Sequence, residues 1–150
     1  MRSALPFVLP LVLAVGGCAG PDLPIGWEGA SRLPVVQAAC GGNPYEPHDE
    51  RLEVEGAVGR ALVDLRETTF RCEQTVEAFV REGDATVDVL VQPEDMHPSM
   101  VAACDCLYDV GVDVPLDPGT YVVSAYRRWD ALNEPNDPVA VGVPASISVE

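Results

Sequence analysis

The chain has no lysine. Its nine basic residues are all arginine, set against 24 acidic ones, for a net charge of −15. Without lysine there is no phosphate-loop ammonium, no Schiff-base amine and no lysine general base. Charge of this sign also excludes electrostatic capture of nucleic acid or anionic headgroups, since both need positive charge. Histidine occurs only twice, at His48 and His97, each beside a proline. No G-x-S-x-G or H-E-x-x-H motif is present, so no sequence signature of a hydrolase is either. A hydrolase would need Ser, His and Asp side chains brought together from distant positions. The expectation is therefore a non-catalytic protein without a cofactor. What remains is one domain's worth of chain: 150 residues, 47% hydrophobic, enough for an ordinary core.

Also missing is any apolar run long enough to cross a bilayer. Ala4 to Val15 is apolar throughout, interrupted only by Pro6 and Pro10. As a helix it would span roughly 18 Å against a hydrocarbon core of about 30 Å, and the prolines would damage that helix. With Arg2 ahead of it, the run reads as a signal-peptide core. Leu13-Ala14-Val15-Gly16-Gly17-Cys18 follows. Small residues before a Cys, directly after the apolar core, resemble the lipobox of bacterial lipoproteins. Val15 departs mildly from the Leu preferred there. The resemblance covers about twenty residues and implies cleavage before Cys18 and acylation of Cys18. Two or three acyl chains would then hold the protein firmly, at roughly 0.8 kcal/mol per buried methylene. Ala19, rather than Asp, in the next position implies the outer membrane by the enterobacterial sorting pattern. Residues 18–31 read as a flexible tether, with Gly20, Pro21, Pro24, Gly26 and Gly29 and no apolar period. Trp27 stands out in it, destined either for the domain or for the membrane interface.

From about Arg32 onward the dominant period is two. In 104–114 the even positions are Cys, Cys, Tyr, Val, Val and Val, while Asp105, Asp109 and Asp113 fall on the odd ones. Side chains on a strand alternate between faces, so one face is dry and the other wet. The same reasoning turns Val87, Val89 and Val91 inward. It also turns Phe70, Cys72, Val76, Ala78 and Val80 inward, with Arg71, Glu73, Glu77 and Arg81 outward. Leu52–Val58, Arg60–Glu67, Thr120–Arg128 and Val139–Val149 are further strand candidates. Glu82-Gly83-Asp84 reads as a hairpin turn and Pro115 to Gly119 as a Pro/Gly turn. About seven or eight short strands in residues 32–150 predict an all-β, single antiparallel β-sandwich.

Leu116-x-Pro118-Gly119-x-Tyr121-x-Val123 resembles the entry to a late strand in immunoglobulin-like and fibronectin-like domains. The resemblance implies that the Tyr121 hydroxyl bonds back to the preceding corner, with Leu116 and Gly119 forming that corner. Val123 stands where antibody-type domains carry Cys, so the likeness is to the broad sandwich class.

Cys40, Cys72, Cys104 and Cys106 remain after Cys18. An exported chain pairs such cysteines. Cys104 and Cys106 are about 6.6 Å apart on a strand, near the limit for a disulfide. Each is therefore expected to reach another element, one to Cys72 and the other to Cys40, the order being open. The rival reading is a periplasmic copper-type metal-handling protein. It would use Met96, His97 and Met100, with or without Cys104 and Cys106, since thioether, imidazole and thiolate suit copper(I). Asp130, Asn133, Glu134, Asn136 and Asp137 crowd one loop and carry calcium-type oxygens, but at no EF-hand spacing. Asp105, Asp109 and Asp113 are about 13 Å apart in steps of four and cannot share an ion.

The expectation is a lipid-anchored, non-catalytic binding or structural module of the cell envelope, in the outer membrane of a Gram-negative bacterium. It touches the membrane through its lipid and has an envelope protein as its partner. Recognition is expected at the 93–100 and 130–138 loops, since sandwich loops usually carry it.

Overall fold

The computed structural model describes residues 21–100, 103–133 and 136–150. The signal-peptide reading, Cys18 and Glu134 lie outside the described residues. The valine-rich alternation becomes nine strands, with no helix among the described residues. They are β1 (Ser31–Leu33), β2 (Val35–Gln37), β3 (Arg51–Ala57), β4 (Arg60–Arg71), β5 (Val76–Glu82), β6 (Thr86–Pro93), β7 (Asp105–Pro115), β8 (Gly119–Arg127) and β9 (Val139–Val149). Five form one sheet in the order β1-β5-β6-β8-β9, and four form another in the order β2-β7-β4-β3.

The two sheets share one core. Val63, Leu65 and Phe70 of β4 and Val110, Val112 and Val114 of β7 enter it from one side. Val87, Val89, Val91 and Val123 enter from the other. Period-two patterning located this face correctly because each residue on a strand flips the side chain. The extra strands are β1 and β2, too short to show a period. Chain direction also differs from the all-antiparallel expectation, because β6 and β8 pair in parallel. The chain leaves β6, climbs β7 in the opposite sheet and returns in β8, so the two neighbours point the same way. Alternation carries no information about direction.

β4 is longer than its alternating run suggests, because a bulge lets it continue. Its register against β7 shifts between Leu65 and Thr68, and Glu67 takes φ 52° there. The extra residue keeps Phe70 on the core face after the break.

At both flanks the edge strands of the two sheets come near each other without pairing. On one side the chain passes across Pro34 from β1 in the larger sheet to β2 in the smaller. On the other, β3 lies against β9 so closely that a Cβ on Gly56 would fall 1.9 Å from the Ser148 carbonyl oxygen. Glycine is required at that position.

The strand ends sort into two groups. The segments 38–50, 72–75, 94–104 and 128–138 gather at one end, the loop end. The segments 58–59, 83–85 and 116–118 gather at the other, the turn end.

The segment expected as tether is a correction. Residues 21–30 lie on the outer face of the larger sheet. Trp27 is 4% exposed and clusters with Phe79 and Leu90, joined by Leu23, Ala30 and Tyr126. Arg81 stacks over the indole at 4.5 Å and donates to the Gly26 carbonyl. Trp27 therefore belongs to the domain. Its apolar area outweighs the flexibility that the neighbouring glycines and prolines suggested.

Candidate functional site

The loop end gathers most of the residues singled out by their chemistry. Its centre is a polar clamp on Asp22. Gln92 Nε2 and Arg128 Nη1 both donate to the Asp22 main-chain carbonyl, at 3.0 and 2.9 Å. His97 Nε2 lies 2.6 Å from Asp22 Oδ2. Arg128 Nε also donates to the Asn136 carbonyl. Gln92 Nε2 reaches Glu77 Oε1 as well, and Glu77 pairs with Arg32 at 3.2 Å. Glu77 faces outward, as alternation predicts, yet it is buried. The N-terminal segment and Arg32 cover it, and burial of a carboxylate is tolerable only with such partners.

A second latch joins the sheets. Asp130 is fully buried; its Oδ2 accepts from Arg71 Nε and Gln74 Nε2, both at 2.9 Å, and its Oδ1 accepts from Leu132 N–H. Asp130 is thus occupied holding its own turn. The Ala131 N–H donates to the Met96 carbonyl at 2.8 Å, which sets the two candidate recognition loops side by side.

The disulfides settle the open connectivity. Cys72 pairs with Cys104 and Cys40 with Cys106, at Cα separations of 5.6 and 5.7 Å. Parity placed Cys104 inward, but it is exposed just ahead of β7. Leu107, an odd position between Asp105 and Asp109 and so on the wet face by alternation, is buried, because the Cys40 segment folds over it: Gly41 pairs with Leu107 and Gly42 packs on its side chain. Cys104 and Cys106 therefore present no thiolates. Met96 is buried while Met100 is 87% exposed, so the two thioethers do not face a common point. Among the described residues no three His, Cys, Asp or Glu side chains are grouped to hold a metal ion.

The acidic face of β7 is compensated residue by residue. Asp105 accepts from the Tyr45 hydroxyl at 2.8 Å, which pushes that hydroxyl's pKa up. Asp109 accepts from the Glu67 N–H and from Arg66, and chiefly the former holds its carboxyl below the usual range. Hydrogen bonds from Arg51 and Arg66 depress Glu53 likewise, and Glu53 and Asp109 raise Arg66 in return. Asp113 pairs with Arg60 at 3.0 Å.

His48 Nδ1 lies 3.0 Å from the Glu46 carbonyl and His97 engages Asp22. Neither ring hydrogen-bonds a Ser, Thr or Cys among the described residues. The surface also carries several concavities, one of about 580 Å³ beside Asp22, Met96 and His97. A cleft of about 270 Å³ at the loop end is lined by Arg71, Gln74, Asp95, Pro98 and Met100. A trough of about 530 Å³ on the outer face of the smaller sheet is lined by Val36, Leu62 and Gly111. At the turn end the Tyr121 hydroxyl donates to the Asp117 carbonyl at 3.0 Å, Leu116 is buried, and Gly119 packs on the Tyr121 ring.

Sequence reasoning missed Asp22, Gln92 and Arg128. Gln92 had one faint signal, an amide closing a valine run. Asp22 had none, because its role comes from a carbonyl that every residue carries.

Comparison with family models, with curated proteins and with solved structures finds no match.

Proposed function

We propose that the chain is a lipid-anchored, non-catalytic binding or structural module of the cell envelope. Its lipid sits on Cys18, its membrane is the outer membrane, and its sandwich is of the broad immunoglobulin-like type. The observation that carries the reading is the pair of disulfides. Cys40, Cys72, Cys104 and Cys106 are all cross-linked to one another, as suits a chain exported to an oxidising compartment. The even number of cysteines that such pairing needs is met without Cys18, which the lipobox-like segment reserves for acylation. The Tyr121–Asp117 hydrogen bond supports the sandwich type. Asp130, the most buried carboxylate, is taken up by Arg71 and Gln74 and is not offered to a ligand.

Labelled palmitate tests the anchor. The wild type is expected to incorporate label and to fractionate with membranes, and Cys18→Ala is expected to do neither. Equal labelling of the two proteins, or a wild type recovered with reduced cytosolic material, sinks the reading. Affinity capture from an envelope extract with the lipidated protein then identifies the partner.

A further inference from the structure

A lipid on Cys18 would be held on a short leash. Cys18 stands four residues before Asp22, and four residues of extended chain reach at most about 14 Å. Asp22 itself is fixed at the loop end by Gln92 and Arg128. The bilayer holding the acyl chains must therefore lie close to this end.

The loop end is also suited to meet it. Met100 is 87% exposed and Leu132 is 56% exposed. They stand on the neighbouring loops that the Ala131–Met96 hydrogen bond joins. Both stand at the end that the leash brings to the bilayer, while Val58, 78% exposed, stands at the other. Several carboxylates near them pair with arginine: Asp22 with Arg128, Asp130 with Arg71, Glu94 with Arg32. A zwitterionic surface has no net charge to repel these carboxylates or Asp95, which has no arginine partner among the described residues, whereas an anionic one would repel a chain of net charge −15.

We propose that the loop end is a membrane-docking surface. With Cys18 acylated, the segments 94–100 and 130–133 lie on the zwitterionic bilayer that holds the anchor, and Met100 and Leu132 enter its interfacial layer. The turn end points away from the membrane, so a protein partner would meet the flanks or the turn end. This proposal rests on the lipid-anchor reading.

The test uses the protein extracted from the envelope, reconstituted in phosphatidylcholine vesicles, floated, and followed by hydrogen exchange. The reference is the Cys18→Ala protein without vesicles. Peptides covering 94–100 and 130–133 are expected to exchange at least about threefold more slowly on vesicles, with the 83–85 turn unchanged. A twelve-residue Gly/Ser spacer between Gly20 and Pro21 lengthens the leash from four residues to sixteen. That lowers the effective concentration of the loop end at the surface about eightfold. Protection is then expected to fall while flotation persists. Met100→Asp combined with Leu132→Asp should have the same effect, since both side chains are exposed and the fold does not need them. A wild type that floats but gains no protection at the loop end overturns the docking surface and leaves the anchor standing. So does protection that neither the spacer nor the aspartates reduce. A wild type that neither takes up palmitate nor floats overturns the anchor and the docking surface together.

Discussion

The two ends of the sandwich are held by different forces. At the turn end the connections are short and backbone groups satisfy each other. Gly59 N–H donates to the Glu150 carbonyl, Leu116 N–H to the Gly59 carbonyl, and Gly83 N–H to the Thr86 carbonyl. At the loop end most connections are longer, and side chains add to the backbone bonds: two disulfides, the Asp22 clamp and the Arg71–Asp130 latch. A short turn loses little entropy on folding and can rest on weak bonds. A long segment loses more, so it needs covalent links or buried charge pairs. Function-bearing segments are more easily accommodated where the connections are long, because their ends are fixed independently of their tips.

The largest expected effect comes from opening a disulfide. The Cys40–Cys106 link closes 66 residues of separation and the Cys72–Cys104 link 32. Chain-entropy reasoning puts their contributions at about 4.4 and 3.7 kcal/mol. Cys40→Ser with Cys106→Ser should therefore lower the free energy of unfolding by about 4 kcal/mol in denaturant titration. Hydrogen exchange should accelerate at 38–50 well before 116–121. Equal acceleration at both ends would erase the contrast between them.

Next comes Arg71→Met. It leaves the Asp130 carboxylate buried with only Gln74 and a backbone amide as partners. Removing one member of a buried pair costs about 3 kcal/mol or more. Adding Asp130→Asn is expected to recover part of that loss. A shift in the urea midpoint equivalent to less than about 1 kcal/mol would show that the latch is no stronger than a surface pair.

The smallest effect is expected at the turn end. Tyr121→Phe removes one partly exposed hydrogen bond to the Asp117 carbonyl and should cost about 1 kcal/mol or less. Its exchange signature should be confined to residues 116–121. A loss as large as that of Arg71→Met would mean that the turn end also depends on side chains.

The sequence made the core legible because burial on a strand repeats every second residue. Val87, Val89, Val91, Val110, Val112 and Val114 all lie where that period puts them. Turns were legible through Gly83 and through Pro118-Gly119, whose backbone preferences act locally. The pairing of Cys72 and Cys40 with the two close cysteines was legible as a rule, but the order was not. Leu107 and Glu77 lie on the face that alternation gives them, yet both are buried, for one shared reason. Each sits on an outer face, and a segment remote in sequence lies over it. Trp27 was ambiguous until its neighbours were known, because an indole in a Gly/Pro stretch packs wherever an apolar surface is offered.

The chain alone determined its all-β character, its dry and wet faces, its lack of lysine chemistry and the supply of sulfur for cross-links. These follow from composition and from side-chain alternation, both of which are local. Tertiary structure decided the parallel β6–β8 pair, the Cys72–Cys104 and Cys40–Cys106 order, and the fixing of Asp22 by Gln92 and Arg128. Each of these joins groups far apart in sequence. Their meeting depends on how two sheets stack and on which end each connection occupies, and no short window of residues records that.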